Sequence, residues 1–313
     1  MMEREKKYIV RERAAFLLLT FLVIFCSLGI GDSVYGAESA KGQTRPAAET
    51  VLEKPVRPAN TAKSGVVIDG DTGKIIYSKY PHKQRDPLST TKLLTALVAL
   101  EHLDIDDTVT VTRTAADTPG STAGLITGEK IKVRDLIYGA MLPSGNDAAV
   151  ALAVSVSGTK AKFAKLMNEK AEELGCEDSH FSNPHGWKAG NHYSSAYDMA
   201  VIAKEAMEIP IIKRACSTEI YRMAKTNKHK SRLIATTNYF VAKKKYPECG
   251  VFAGKTGTWE SYNASLISAC RRNGKVVYAS VLQDTTMGRY TTTNKILNYS
   301  YKKLAWMAES ESI

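Results

Sequence analysis

Asp86-Pro87-Leu88-Ser89-Thr90-Thr91-Lys92-Leu93-Leu94-Thr95-Ala96-Leu97-Val98-Ala99-Leu100-Glu101 decides how the rest of the chain is read. Leu93, Leu94, Leu97, Leu100 and Leu103 recur at helical spacing, and Ala96 and Ala99 permit close approach, so a buried helix is expected from Leu88 onward. Pro87 stands where the first turn tolerates a proline. Two polar side chains interrupt the apolar run, Ser89 and Lys92, and their spacing puts them on one face a turn apart. An amine buried among leucines loses proton affinity and can take a hydrogen from a neighbouring hydroxyl. Ser89 is therefore a candidate nucleophile and Lys92 its candidate base. The pair alone decides little, since Ser89 reads as well as a helix cap and Lys92 as a side chain snorkelling to solvent.

Outward from this helix the pattern changes period. Upstream, Val66-Val67-Ile68, a turn over Asp69–Gly73, and Lys74–Ser78 read as a hairpin. Downstream, helices are expected at about 136–141, 148–156, 160–174 and 194–206, with short strands near Thr108–Thr112 and Ile131–Val133 and a turn cluster at Asn183-Pro184-His185-Gly186. Residues 251–256, 264–270 and 276–282 read as strands, the last two joined at Asn273-Gly274, and about 292–307 as a closing helix. Strands from both chain ends with helices between them predict an antiparallel sheet packed on helices plus a helical subdomain, class α+β (α/β in looser usage). Residues 213–245 are strongly basic and read as a solvated face.

The ends and the composition narrow the setting. Arg4, Lys6, Lys7, Arg11 and Arg13 precede an uncharged apolar run over 14–30, and small residues follow at Gly36 and Ala37. This is the layout of a secretory signal over 1–37, with an uncleaved anchor as the alternative. Residues 38–62 read as a flexible tether and 63–309 as the working domain. Of 313 residues 44% are hydrophobic, ordinary for a globular chain, while the net charge is +11. In an exported protein that charge points to an anionic cell-wall or membrane surface rather than to nucleic acid, with general solubility as the competing explanation. Cys176, Cys216, Cys249 and Cys270 lack metal-site spacing; export permits disulfides, and no pairing is assigned.

Two later stretches supply what Ser89 and Lys92 lack. Ser144-Gly145-Asn146 puts a hydroxyl and an amide on a sharp bend. Ser144 could relay a proton between Lys92 and a leaving amine, and Asn146 could bind a substrate amide or hold Lys92, unless it is a helix cap. Lys255-Thr256-Gly257-Thr258 ends a predicted strand, where Gly257 lets another backbone approach, Lys255 adds positive potential and Thr256 and Thr258 could hold a carboxylate.

Ser-x-x-Lys, Ser-x-Asn and Lys-Thr-Gly in this order resemble the motif set of penicillin-binding proteins and serine β-lactamases. The text around them, Leu88–Lys92 with Thr95-Ala96-Leu97, Asn183–Gly186, and His192-Tyr193-Ser194 with Tyr197-Asp198-Met199-Ala200, is similar to the low-molecular-mass D-alanyl-D-alanine carboxypeptidases of peptidase family S11, over about Gly65 to Leu304. The resemblance implies a β-lactamase/DD-peptidase-like fold, Ser89, Lys92 and Ser144 as catalytic residues, and Asn146, Lys255, Thr256, Gly257, Thr258 and Arg289 as substrate-binding residues. It implies a stem peptide ending in D-Ala-D-Ala as substrate, β-lactams as acylating inhibitors, and no metal or cofactor. Two departures are visible. No second β-rich domain or C-terminal amphipathic anchor is expected after the last helix, and Thr258-Trp259-Glu260-Ser261-Tyr262 stands where the family commonly has an aromatic or His and a Gly-containing turn. A β-lactamase is one competing reading, although no Glu-x-x-x-Asn follows Ser144; a non-catalytic wall protein and a transpeptidase are others.

Overall fold

The computed structural model describes residues 53–187, 189–242, 246 and 249–310. They belong to one compact unit, Val51–Ile313. The first unit, Met1–Thr50, and with it the signal or anchor reading, lies outside the described residues.

A five-stranded antiparallel sheet is assembled from both ends of that unit, in the order β2-β1-β9-β8-β7. β1 (Ser64–Asp69) and β2 (Ile75–Lys79) form the expected hairpin. The short strands β3 (Thr108–Thr110) and β4 (Lys130–Lys132) pair with each other in the helical lobe. β5 (Ile220–Met223) and β6 (Arg232–Ala235) form a second small hairpin within the basic stretch read as a solvated face. The connection that joins β5 to β6 is fastened by the buried Glu129 carboxylate, which accepts from Arg232 Nη1 at 2.9 Å and from the Thr226 hydroxyl at 3.0 Å. β7 (Val251–Glu260), β8 (Asn263–Arg272) and β9 (Lys275–Asp284) complete the sheet.

The helices fill the middle of the chain: α1 (Lys92–Leu100), α2 (Arg113–Ala116), α3 (Val133–Met141), α4 (Asn146–Ser157), α5 (Lys160–Glu173), α6 (Ala196–Glu208), α7 (Pro210–Ser217) and α8 (Tyr239–Ala242). α9 (Gly288–Ser310) follows the last strand. The sheet separates two apolar clusters. One, with Val66, Ile68, Leu94, Leu97, Ile137 and Met199, joins its inner face to the helical lobe; the other, with Val67, Val281, Ile296 and Leu297, packs α9 on the outer face. Alternation along β1, with Val66 and Ile68 on one side and Val67 on the other, is the period-2 reason both faces are covered.

The deciding stretch folds differently from the expectation at its start. Leu88–Thr91 is a 3-10 turn, and the α-helix begins only at Lys92. Leu88 has φ +55°, left-handed backbone that a leucine rarely adopts. The neighbours account for it. A β-carbon on Gly186 would lie 1.8 Å from the Leu88 carbonyl oxygen, and one on Gly257 would lie 2.9 Å from Leu88 Cβ and 3.2 Å from Ser89 N. The turn is held between two glycine backbones, which fix where Ser89 points.

The end of the stretch read as tether meets the sheet. The Thr61 hydroxyl donates to Asp284 Oδ1 at 2.7 Å, Lys79 Nζ donates to the Ala62 carbonyl at 2.6 Å, and Ala62 is buried. No disulfide joins Cys176, Cys216, Cys249 and Cys270, which are all buried thiols. Among the described residues, no helix is long and apolar enough to cross a membrane.

Candidate active site

Three segments meet between the sheet edge and the helical lobe. The 3-10 turn and α1 bring Ser89 and Lys92, the turn before α4 brings Ser144 and Asn146, and β7 brings Lys255 to Thr258. The Ser89 side chain caps no helix end, because the turn carries no side-chain cap bond. Asn146 is no cap either: Gly145 takes that position, which frees the Asn146 amide for the cleft.

Lys92 is fully buried, and its amine has three partners: Ser89 Oγ at 2.9 Å, Asn146 Oδ1 at 2.8 Å and the His185 carbonyl at 2.8 Å. Two of these oxygens can only accept. The amine donates to all three oxygens; when it is neutral, its two hydrogens still satisfy the two pure acceptors and its lone pair is left facing the Ser89 O–H. Burial holds this amine well below the usual lysine range; the nearby Lys255 charge pushes the same way, and Asp147 opposes them.

A second Ser–Lys pair faces the first. Lys255 Nζ donates to Ser144 Oγ at 2.9 Å and to the Thr256 carbonyl at 3.0 Å. Ser144 has φ +62°, and that bend is what turns its hydroxyl toward β7. Burial lowers the Lys255 amine to about 7; Cys216 opposes the shift and Arg289 adds to it. The Cys216 thiol itself is pushed up to about 12 by burial, so it stays protonated beneath the site.

The remaining predicted residues are also here. The Thr256 hydroxyl bonds Thr237 Oγ1 at 2.6 Å. Gly257 presses on the Ser89 turn. Arg289 lies behind the strand rather than open to the cleft: its Nη1 donates to Thr258 Oγ1 at 2.8 Å and to the Gly257 carbonyl at 2.9 Å. It touches the Thr258 hydroxyl from within the protein. Three contributors escaped the sequence reading. The His185 carbonyl is a backbone group, although Asn183-Pro184-His185-Gly186 had marked its turn; Asn183 Oδ1 accepts from Gly186 N at 2.8 Å and from Trp187 N at 3.1 Å and so shapes that turn. Asp147 accepts from Ala123 N at 2.8 Å and from the Thr122 hydroxyl at 2.6 Å. It thereby ties down the loop whose Pro119 carbonyl takes the Asn146 amide at 2.7 Å. Thr237 carried no signal at all.

A serine beside a buried lysine, a second hydroxyl held by a second lysine, and an open strand edge between them are the parts of a serine acyl-transfer site. The chain belongs to the D-alanyl-D-alanine carboxypeptidase family, peptidase S11, whose model matches residues 50–286. It is 36% identical over 252 residues to the D-alanyl-D-alanine carboxypeptidase DacF of Bacillus subtilis, covering 78% of this chain and 63% of that protein. It is 33% identical over 283 residues to a D-alanyl-D-alanine carboxypeptidase of Streptomyces sp. strain K15, covering 85% of this chain and 95% of that one. The crystal structure of the Streptomyces K15 DD-transpeptidase superposes with a TM-score of 0.72 at 32% identity, over 79% of this chain and 99% of that chain. The fold is thus the DD-peptidase fold that the motifs implied.

Proposed function

We propose that this chain is a serine-type carboxypeptidase that removes the terminal D-alanine from peptidoglycan stem peptides ending in D-Ala-D-Ala. Ser89 attacks the carbonyl between the two D-alanines while the Lys92 amine takes its proton. The Ser89 N–H and an N–H of β7 face the developing oxyanion, an arrangement supported by the close approach of Gly257 to Ser89 N. The C–N bond then breaks; Ser144, with Lys255 beside it, gives the departing amine its proton and takes in return the proton that Lys92 removed from Ser89, so Lys92 is neutral again. Water, deprotonated by Lys92, hydrolyses the Ser89 ester and releases the shortened peptide. Thr256 and Thr258 hold the terminal carboxylate, with Arg289 setting the Thr258 hydroxyl. A β-lactam carries the same carbonyl into the site and leaves a slowly hydrolysed ester on Ser89.

The observation that carries this reading is the buried Lys92 amine held 2.9 Å from Ser89 Oγ by Asn146 and the His185 carbonyl. The test is D-alanine release from diacetyl-Lys-D-Ala-D-Ala by the full chain, with fluorescent penicillin labelling in parallel. Ser89→Ala should abolish both, and full activity in that variant would end the proposal. A transpeptidase reading is favoured by the K15 relation alone; a glycine acceptor added to the assay separates it, because transfer gives a new peptide and hydrolysis does not. Rapid penicillin turnover would instead indicate a β-lactamase. The basic, then apolar, N-terminal text supports action outside the cytoplasmic membrane, and the exposed Arg222, Lys225, Lys228 and Lys230 on and beside the β5–β6 hairpin support contact with an anionic wall or membrane surface.

A further inference from the structure

His192-Tyr193-Ser194 and Asp198 take no part in the chemistry above, yet this segment grips the nucleophile turn from both ends. Before Ser89, Arg85 N donates to the Ser194 carbonyl at 2.8 Å and Ser194 N donates to the Arg85 carbonyl at 3.0 Å. After Ser89, His192 Nε2 lies 2.9 Å from the Thr91 hydroxyl. All three side chains, Thr91, His192 and Ser194, are buried. The direction of the second contact follows from the first bond of the ring. Ser182 N–H donates to His192 Nδ1 at 3.1 Å, so Nδ1 keeps its lone pair, the hydrogen sits on Nε2, and Nε2–H donates to Thr91 Oγ1.

The segment is itself fixed from behind. Tyr193 and His180 exchange backbone bonds of 2.9 Å, and the Asp198 carboxylate on α6 accepts from the Ser179 hydroxyl at 2.7 Å and from Asp178 N at 2.9 Å. The Phe181 ring packs on the imidazole with centroids 5.6 Å apart. Any buried hydroxyl in a core needs a partner. Thr91, however, stands between the nucleophile and the base, and the Lys92 N–H donates to the Ser89 carbonyl within the same turn. The backbone there is strained at Leu88, and such backbone persists only where its surroundings over-determine it.

We propose that His192 is a positioning residue: through its bond to Thr91 it locks the turn that aims Ser89 Oγ at the Lys92 amine. The proposal deepens the carboxypeptidase reading and rests on its acylation step. His192 touches neither the reacting atoms nor the carboxylate-holding threonines, so losing its bond should slow acylation and leave binding as it was.

The test is the rate of Ser89 acylation by fluorescent penicillin in the full chain, resolved into the noncovalent binding constant and the acylation rate constant. Thr91→Val removes the hydroxyl at nearly constant size. Its acylation rate constant should fall about tenfold, less than the roughly 100-fold that a 1 Å misplacement can cost, with the binding constant unchanged. Thr91→Ser, which restores the acceptor oxygen, should regain most of the rate. His192→Phe should slow acylation similarly, and the Thr91→Val/His192→Phe double variant should be no slower than the slower single variant, because both changes remove one bond. Wild-type acylation in Thr91→Val, a loss that Thr91→Ser does not restore, or a loss confined to binding would overturn the positioning role and leave the carboxypeptidase reading in place. A wild type that takes no penicillin label and releases no D-alanine from diacetyl-Lys-D-Ala-D-Ala would overturn both.

Discussion

The cleft contains two Ser–Lys pairs with the same 2.9 Å separation and opposite character. Ser89 and Lys92 lie within one turn of chain, on backbone squeezed between Gly186 and Gly257. Ser144 and Lys255 are 111 residues apart and meet only because the turn before α4 comes up to β7. Both amines are buried and both lose proton affinity for that reason. Their partners differ. Lys92 has two pure acceptors and the Ser89 hydroxyl, which use all three of its positions, whereas Lys255 has the Ser144 hydroxyl and one carbonyl, which leaves an ammonium hydrogen for an incoming carboxylate. In the proposed reaction the same chemical pair serves as a base in one wall and as an anion-directed proton donor in the other.

The largest effect should come from breaking the first pair. Lys92→Gln should lower the rate of Ser89 acylation by about 10³-fold, the scale of a lost general base, with stopped-flow penicillin acylation as the measurement. Lys255→Gln should cost less, about 10²-fold in kcat/KM for the D-Ala-D-Ala peptide, because it removes electrostatic help rather than the base. In the wild type, Lys255 is charged below and neutral above about 7, so kcat/KM should decline as pH rises through that value. The alkaline limb of kcat should lie higher, since a bound carboxylate stabilises the ammonium; identical limbs would remove the distinction between the two lysines. Asn146→Ala sharpens the comparison further. It takes one acceptor from Lys92, which destabilises the ammonium form, so the acid limb of the acylation rate should move to lower pH while the rate falls by about tenfold.

The smallest effect concerns stability. His185 is lowered to about 3 and His192 to about 4, in both cases chiefly by burial, against an ordinary value of 6.5. Between those values and 6.5 the unfolded chain binds protons that the folded chain does not. Stability should therefore be undiminished by these groups above pH 6.5 and fall as pH drops toward 4 and then 3. His192→Gln should flatten part of that slope in urea unfolding followed from pH 7 to pH 4.

How much of this was legible follows from how local each feature is. The β1–β2 hairpin and the strands β7 to β9 stand out in sequence because alternation is a near-neighbour property. Ser89 and Lys92 stand out for the same reason. The β5–β6 hairpin did not, since Arg222, Lys225, Lys228 and Lys230 mask any apolar alternation and its anchor, Glu129, lies far away in sequence. The helix start at Lys92 was misplaced because Leu88 favours a helix by itself, and only Gly186 and Gly257 force it out of one. Ser144, Asn146 and Lys255 were found through the ordered motif set and its resemblance, whereas the His185 carbonyl and the Thr237 hydroxyl contribute through geometry alone.

The protonation state of Lys92 carries the account, and it can be read directly. In protein labelled with ¹³C at lysine Cε, the Lys92 resonance, assigned by its loss in Lys92→Arg, should titrate to the neutral amine well below the ordinary lysine value of 10.5. A Lys92 signal that stays ammonium-like up to 10.5 would contradict it, because Ser89 would then have no base.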